Sequence, residues 1–311
     1  KDASNLSTVY INNIAEDYVA QIENITGTNF ADYIIGDNDS NIFYGLNNND
    51  TLVGLKGKDT LIGGDGNDLF KAGLDQNGDG QLEDGDDGSD FIDGGQHTVL
   101  ADGTQGSTNA ATGYGDTVDY SAFGTTHGIT VDLSKVGTNS SNIDYNYSTV
   151  VVANGSTDYI KNIENVIGSQ GNDFITGSDL DNTLSGGLGN DTLVGGKGND
   201  YLDGGNDIDV ADYSASDAIT VDLSLSSNQV TAGTYGIDTL TDIEVVVGST
   251  YQDVFKGNNS TNDTFIGGAD NDTFIATTGS DTYYGGNATI SNGTVTTHTA
   301  AATVYAARIH H

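Results

Sequence analysis

The chain has 311 residues, with 45 acidic against 9 basic side chains, a formal charge of −36 at pH 7, 44 glycines and no Pro, Cys, Met or Trp. So anionic a chain repels itself until something neutralises it, which excludes nucleic acid and anionic membrane surfaces as partners and favours cations. Disulfides and thiolate metal sites are excluded with cysteine, no apolar run approaches the roughly 18 residues of a membrane span, and large apolar residues are too few for a thick core.

The opening KDASNLSTVY holds neither a signal-peptide core nor an initiating Met, so the chain reads as a piece of a longer protein. Residues 1–26 end in QIENIT, the tail of a module that returns twice. A first run then begins in units of nine: GTNFADYII, GDNDSNIFY, GLNNNDTLV, GLKGKDTLI and GGDGNDLFK. Its sixth positions are Asp32, Asn41, Asp50, Asp59 and Asp68, and its eighth are Ile34, Phe43, Leu52, Leu61 and Phe70. An inserted loop at 75–86 and an isolated unit, GDDGSDFID with Gly88 and Asp90, complete this run over 27–117.

A linker module over 118–167 contains DYSAFGTTHGITVDLS and closes with DYIKNIENVI. The second run, 168–212, reads GSQGNDFIT, GSDLDNTLS, GGLGNDTLV, GGKGNDYLD and GGNDIDVAD. It places Asp173, Asn182, Asp191, Asp200 and Asp209 at position six, with Ile175, Leu184, Leu193, Leu202 and Ala211 at position eight. A second linker module, 213–247, continues the DYSASDAITVDLS that starts at Asp212 and closes with DTLTDIEVVV. In all three module tails the Glu stands four residues before the first glycine of its run. A third, looser run over 248–284 carries Asp253, Asp263, Asp272 and Asp281 and one ten-residue unit at 257–266. Residues 285–311 leave the frame and read as a cap or a secretion-related tail, with ARIHH as the start of a purification tag.

Neither helix nor ordinary strand repeats every nine residues. Glycines at positions one, two and four admit backbone angles that a side chain forbids, so a tight turn can aim its carbonyls inward. Asp at position six adds a carboxylate, and position eight, on a three-residue strand, points an apolar side chain into a thin core. An all-oxygen cage with one or two charges suits a hard cation, and Ca²⁺ best tolerates irregular geometry. The candidate ligands are therefore Asp32, Asp50, Asp59, Asp68, Asp90, Asp173, Asp191, Asp200, Asp209, Asp253, Asp263, Asp272 and Asp281. The turn glycines Gly63, Gly64, Gly66, Gly88, Gly171, Gly186, Gly187, Gly189, Gly195, Gly196 and Gly198 join them. The bland alternative is a solvated acidic face on flexible linker; two five-unit runs in one frame, each with its eighth position apolar, argue against it. ITVDL alternates as a half-buried strand does, and no stretch carries a helical period. The expected fold class is all-β: a parallel β-roll or β-helix solenoid with calcium in its glycine-rich turns.

In DQNGDGQLEDGD, Asp75, Asn77, Asp79, the carbonyl of Gln81 and Asp86 fall on positions 1, 3, 5, 7 and 12 of a loop that resembles an EF-hand. Asp in place of Glu at the last position shortens the bidentate arm, and the flanks are nonapeptide units instead of helices. An isolated loop inserted in the roll is expected, with a plain acidic loop as the alternative.

The pattern G-G-x-G-x-D-x-U-x, clearest in GGLGNDTLVGGKGNDYLDGG at 186–205, closely resembles the calcium-binding repeat of the RTX family, bacterial proteins exported by type I secretion. The resemblance implies two nonapeptides per turn of a parallel β-roll, with ions held between successive turns. It also implies a chain disordered in the low-calcium cytosol that folds on meeting calcium outside. Asn41 and Asn182 replace the aspartate, and Asn47 and Asp179 stand in glycine-poor turns, so weak sites are expected there. If units n and n+2 share an ion, about ten Ca²⁺ bind, cancelling more than half of the charge.

GxSxG and HExxH are absent, and His97, His127 and His298 are scattered through polar loops, so no enzyme is expected. Two functions remain. One is a secreted or cell-surface structural segment (adhesin, surface-layer or filament component) that meets itself in a lattice or fibre, or a cell-surface or matrix ligand. The other is the export-and-folding module of a secreted enzyme or toxin. The long linker modules favour the first, and abundant Tyr and Thr suit an exposed contact surface. Third positions such as Lys56, Asp65, Leu188 and Lys197 form no Thr row, which disfavours an ice-binding face.

Overall fold

The computed structural model describes residues 7–11, 14–19, 22–71, 89–95, 115–134, 147–152, 156–275, 277, 280–286, 288–291, 294–297 and 303–305. It falls into two compact units, Lys1–Gly171 and Asn172–His311. The regular elements among the described residues are all β-strands.

In the first unit one coil takes two nonapeptides. Tyr33–Ile35, Thr51–Val53 and Leu69–Lys71 pair side by side in parallel on one sheet. Asn24–Thr26, Ile42–Asn47, Thr60–Asp65 and Phe91–Gly95 do so on the other. Each three-residue strand can bury only its middle side chain, because neighbours alternate faces. The middle residue is position eight: Phe43, Leu52 and Phe70 have 0% exposure, Leu61 1% and Ile34 6%. Leu69–Lys71 next pairs with Thr117–Asp119, so the coil resumes in register beyond its insertions. Ser7–Ile11 lies antiparallel to both Ile14–Val19 and Tyr33–Ile35, covering an edge that would otherwise template pairing with another chain.

The second unit repeats the plan. Thr183–Gly187 pairs with Tyr201–Gly205, and Phe174–Thr176, Thr192–Val194 and Val210–Asp212 build the facing sheet. Ile175, Leu184, Leu193, Leu202 and Ala211 are all fully buried. In the third run the ten-residue unit is absorbed without loss of register: Asp253 N–H reaches Asp272 over 19 residues, and Asp263 N–H reaches Asp281 over 18. Phe255 stacks on Phe274 at 5.2 Å and Phe265 on Tyr283 at 5.9 Å, extending the position-eight ladder with rings.

The linker modules are part of the sheets. Ile129–Asp132, Ser148–Val152 and Thr157–Lys161 form an antiparallel meander whose last strand pairs in parallel with Phe91–Gly95. In the second unit, Thr220–Asp222, Val230–Thr231 and Ile237–Thr241 repeat the meander against Tyr201–Gly205.

In the units that begin at 45, 54, 63, 186, 195, 204 and 267, positive φ falls at positions two and four whatever residue is there; in those that begin at 27, 36, 168 and 177 it does not. Gly187 and Gly189 have φ of 108° and 104°, but Leu46, at position two of its unit, has 93° and Asn48, at position four, 72°. A leucine in that region is strained by about 1–3 kcal/mol. Leu46→Gly should therefore stabilise the calcium-loaded chain by about 1 kcal/mol after glycine's extra unfolded entropy is subtracted. A raised thermal midpoint in calcium checks it; a lowered one would show that the leucine side chain contributes more packing than its backbone costs.

Candidate metal centre

The position-six carboxylates form ladders along the coil. Each uses Oδ1 to accept the backbone N–H of the position-six residue one coil earlier. In the first unit Asp50 accepts from Asp32 at 2.8 Å, Asp68 from Asp50 at 2.8 Å, and Asp116 from Asp68 at 2.7 Å. A second file runs from Asn41 to Asp59 at 2.7 Å, Asp90 at 2.8 Å and Asp158 at 3.0 Å. In the second unit Asp191 accepts from Asp173 at 2.8 Å and Asp209 from Asp191 at 2.8 Å. Asp200 accepts from Asn182 at 2.8 Å, and Asp238 from Asp200 at 2.9 Å. The usual step is 18 residues, one coil, but the Asp59–Asp90 step spans 31 and the Asp68–Asp116 step 48.

The other oxygen decides the chemistry. Oδ2 of Asp50, Asp59, Asp191, Asp200, Asp209 and Asp272 is buried with no hydrogen-bond partner. A lone buried carboxylate oxygen is strongly disfavoured. Beside it stands the position-one glycine. A Cβ built on Gly45 would collide with Asp50 Oδ2 and come within 2.7 Å of the Gly63 carbonyl oxygen; on Gly186 it would meet Asp191 Oδ2 and Gly204 O at 2.7 Å in the same way. Position one is therefore glycine because a carboxylate and a next-coil carbonyl converge on it. It shows no positive φ in these units, which differs from the role of positions two and four. Gly63 and Gly195 are pressed likewise by Asp68 and Asp200, while Gly64 and Gly66 abut the carbonyls of Leu46 and Asn48. Gly196 and Gly198 are packed on Ser178 and Leu180 with φ of 101° and 119°. Gly171 sits apart from this arrangement, against the backbone of Thr125 and Gly128.

Burial and neighbouring carboxylates push these acids up: Asp50, Asp59 and Asp209 to about 7, Asp191 to about 8, Asp200 to about 9 and Asp272 to about 6. Burial leads in each; next-coil charges follow, as of Asp238 on Asp200. No group of three or more His, Asp or Glu side chains converges among the described residues. A cation here must draw on one or two carboxylates and main-chain carbonyls, the oxygen-only donor set that suits Ca²⁺.

Other position-six residues are satisfied without a cation. Asp253 accepts Ile219 N–H and Ser249 N–H, each at 2.7 Å. Asp263 takes Thr261 Oγ1 at 2.6 Å, and Asp281 takes Thr277 Oγ1 at 2.7 Å and Tyr283 OH at 2.9 Å. Asn41 turns its Oδ1 to Asp37 N–H at 3.0 Å, so its oxygen needs no cation, while its Nδ2 is buried without a hydrogen-bond partner. Asp32 is only half-buried and accepts from Thr28 Oγ1 at 3.1 Å. Two residues absent from the sequence-based set, Asp158 and Asp238, are capped by linker tyrosines: Tyr120 OH donates to Asp158 Oδ2 at 2.7 Å and Tyr213 OH to Asp238 Oδ2 at 2.9 Å. Glu164 and Glu244 also went unassigned, and they end the other files by accepting the N–H of Asp116 and Asp209. Their constant spacing before each run was the available signal. The EF-hand-like loop residues Asp75, Asn77, Asp79, Gln81 and Asp86, with Gly88, lie outside the described residues.

Fold and ladders define a calcium-binding β-roll. The family model described as the RTX calcium-binding nonapeptide repeat matches residues 20–52, 44–78, 162–179, 176–211 and 258–288. The chain thus carries hemolysin-type RTX repeats, which bind Ca²⁺ and are typical of bacterial proteins exported by type I secretion. No curated protein matches the chain significantly.

Proposed function

We propose that the chain is an extracellular structural or adhesive segment of a bacterial surface protein, exported unfolded by type I secretion and folded by about ten Ca²⁺ ions. The observation that carries this reading is the building of the linkers into the sheets. Ile237–Thr241 continues one sheet from Tyr201–Gly205, while Val245–Val247 continues the other from Val210–Asp212. A spacer gains from being extended without a hinge, whereas a module needed only for export gains nothing from it. Its role is not catalytic.

Deleting residues 27–284 from the parent protein separates the alternatives. Loss of calcium-dependent attachment or surface assembly, with secretion unchanged, supports the structural role. Loss of secretion with any parental enzyme or toxin activity left misfolded would point to an export-and-folding module.

A further inference from the structure

Each linker module closes on a unit that keeps the nonapeptide frame without its glycine pair. ANGSTDYIK closes the first and GTYGIDTLT the second, with Asp158 or Asp238 at position six and Ile160 or Leu240, both buried, at position eight. Oδ1 of each is an ordinary rung, accepting the N–H of Asp90 at 3.0 Å and of Asp200 at 2.9 Å. Oδ2 is not. Asp200 Oδ2 is buried without a hydrogen-bond partner, but Tyr120 OH meets Asp158 Oδ2 at 2.7 Å and Tyr213 OH meets Asp238 Oδ2 at 2.9 Å. Position one has changed as well: the first unit has Ala153 there, and in the second a Cβ on Gly233 would meet Asp217, not Asp238.

Both tyrosines come from the DYS that opens the module, 38 and 25 residues before their aspartates. Each bond therefore ties the start of a module to its close, around the three-stranded meander. The meander has an apolar face of its own: Ile129 lies opposite Val152 and Val131 opposite Val150 in the first, and Val221 opposite Val230 in the second, all buried. Three strands with a hydrophobic face are the least that a sheet needs to stand alone, whereas a repeat strand buries one side chain. The seams between linker and repeat also carry tethered cations. Lys71 lies 2.6 Å from Asp119, Lys161 2.6 Å from Asp93 and Lys256 2.8 Å from Asp222.

We propose that each linker module is a latch, closed by Tyr120 on Asp158 or Tyr213 on Asp238 with the phenol in the place of an ion. As calcium rises, the latches close before the repeats and give them a strand to stack on. A carboxylate that accepts an N–H on one oxygen and an O–H on the other is satisfied by charge-assisted bonds and needs no cation. A module therefore depends on calcium only through the coil it leans on, while the repeats need ions coil after coil. With no calcium that coil is absent and the chain stays open. The inference rests on the reading of the repeats as calcium-binding.

The test is hydrogen–deuterium exchange on the full chain, with free Ca²⁺ stepped from EGTA to saturation. Amides of Ser148–Val152, Thr157–Lys161 and Ile237–Thr241 should become protected at lower calcium than those of Thr51–Val53 and Thr192–Val194. Protection that arrives together, or in the repeats first, overturns the proposal. Tyr120→Phe with Tyr213→Phe should abolish the lead, and adding Asp158→Asn with Asp238→Asn should restore it, because a neutral amide leaves no buried charge to satisfy. A lead that survives the loss of both hydroxyls would show that the rings and not the bonds close the modules, and overturns the latch. Should the Phe pair fail to fold in saturating calcium, the order of protection in the parent decides. A parent in which no segment gains protection with calcium sinks the underlying reading instead, so the two failures are distinguishable.

Discussion

In EGTA at pH 7.5 the far-ultraviolet circular dichroism of this chain should be that of a disordered chain, and millimolar Ca²⁺ should convert it to a β-sheet spectrum. The physical ground is the set of unpartnered buried oxygens on Asp50, Asp59, Asp191, Asp200, Asp209 and Asp272. Breaking a buried charge pair by removing one partner costs about 3–5 kcal/mol, and several such deficits exceed the roughly 5–15 kcal/mol by which ordinary domains are stable. A core one side chain thick cannot offset that. A spectrum unchanged between EGTA and calcium would reject calcium as the missing half of the fold.

Acid should partly replace the ion. These carboxyls stand at about 7 for Asp50, about 8 for Asp191 and about 9 for Asp200 in the metal-free roll, against about 4 in an unfolded chain. Their folded values are raised, so the metal-free roll binds more protons than the unfolded chain between those limits. Its stability therefore falls as pH rises from about 4 through about 7 to 9, and recovers as pH drops. In EGTA the β-signal at pH 4.5 should exceed that at pH 7.5. No gain in acid would mean that ionised carboxylates are not what holds the metal-free chain open.

The second large effect is expected from Gly186→Ala. The substitution asks for no forbidden backbone angle, since Gly186 is not among the positive-φ glycines. The new methyl would, however, collide with Asp191 Oδ2 and stand 2.7 Å from the Gly204 carbonyl oxygen, closing the gap between two ligands. One Ca²⁺ should be lost, and with it about 2.7 kcal/mol when calcium is a hundredfold above its dissociation constant. Isothermal calorimetry would give the count and chemical unfolding in calcium the loss. A variant that keeps every ion would place the cation away from position one.

Much of this was legible along the chain. The spacing of Leu184, Leu193 and Leu202 announced a strand every nine residues and a core one residue deep. Asp191 and Asp200 announced oxygen donors at the turns. The reason is locality: within one nonapeptide the turn, the carboxylate and the buried side chain are neighbours in sequence, so a short window holds the whole unit. The insertions and linkers defeated that window. Asp116 accepts from Asp68 across 48 residues, and Asp238 from Asp200 across 38. Nothing near either residue marks it as the next rung.

The sequence by itself determined the repeat, its period, the ligand chemistry and the demand for cations, because charge, glycine content and position-eight apolarity are properties of the chain before it folds. Only the tertiary structure decided which carboxylates stay unsatisfied. Asp191 and Asp238 look alike as residues. One keeps a buried oxygen without a partner, and the other receives Tyr213 OH at 2.9 Å. The same holds for Asp93 and Asp203: Lys161 meets the first at 2.6 Å, and the second keeps a buried Oδ1 without a hydrogen-bond partner. A carboxylate's need for an ion depends on donors that reach it from other coils, and that distance exists only once the coils are stacked.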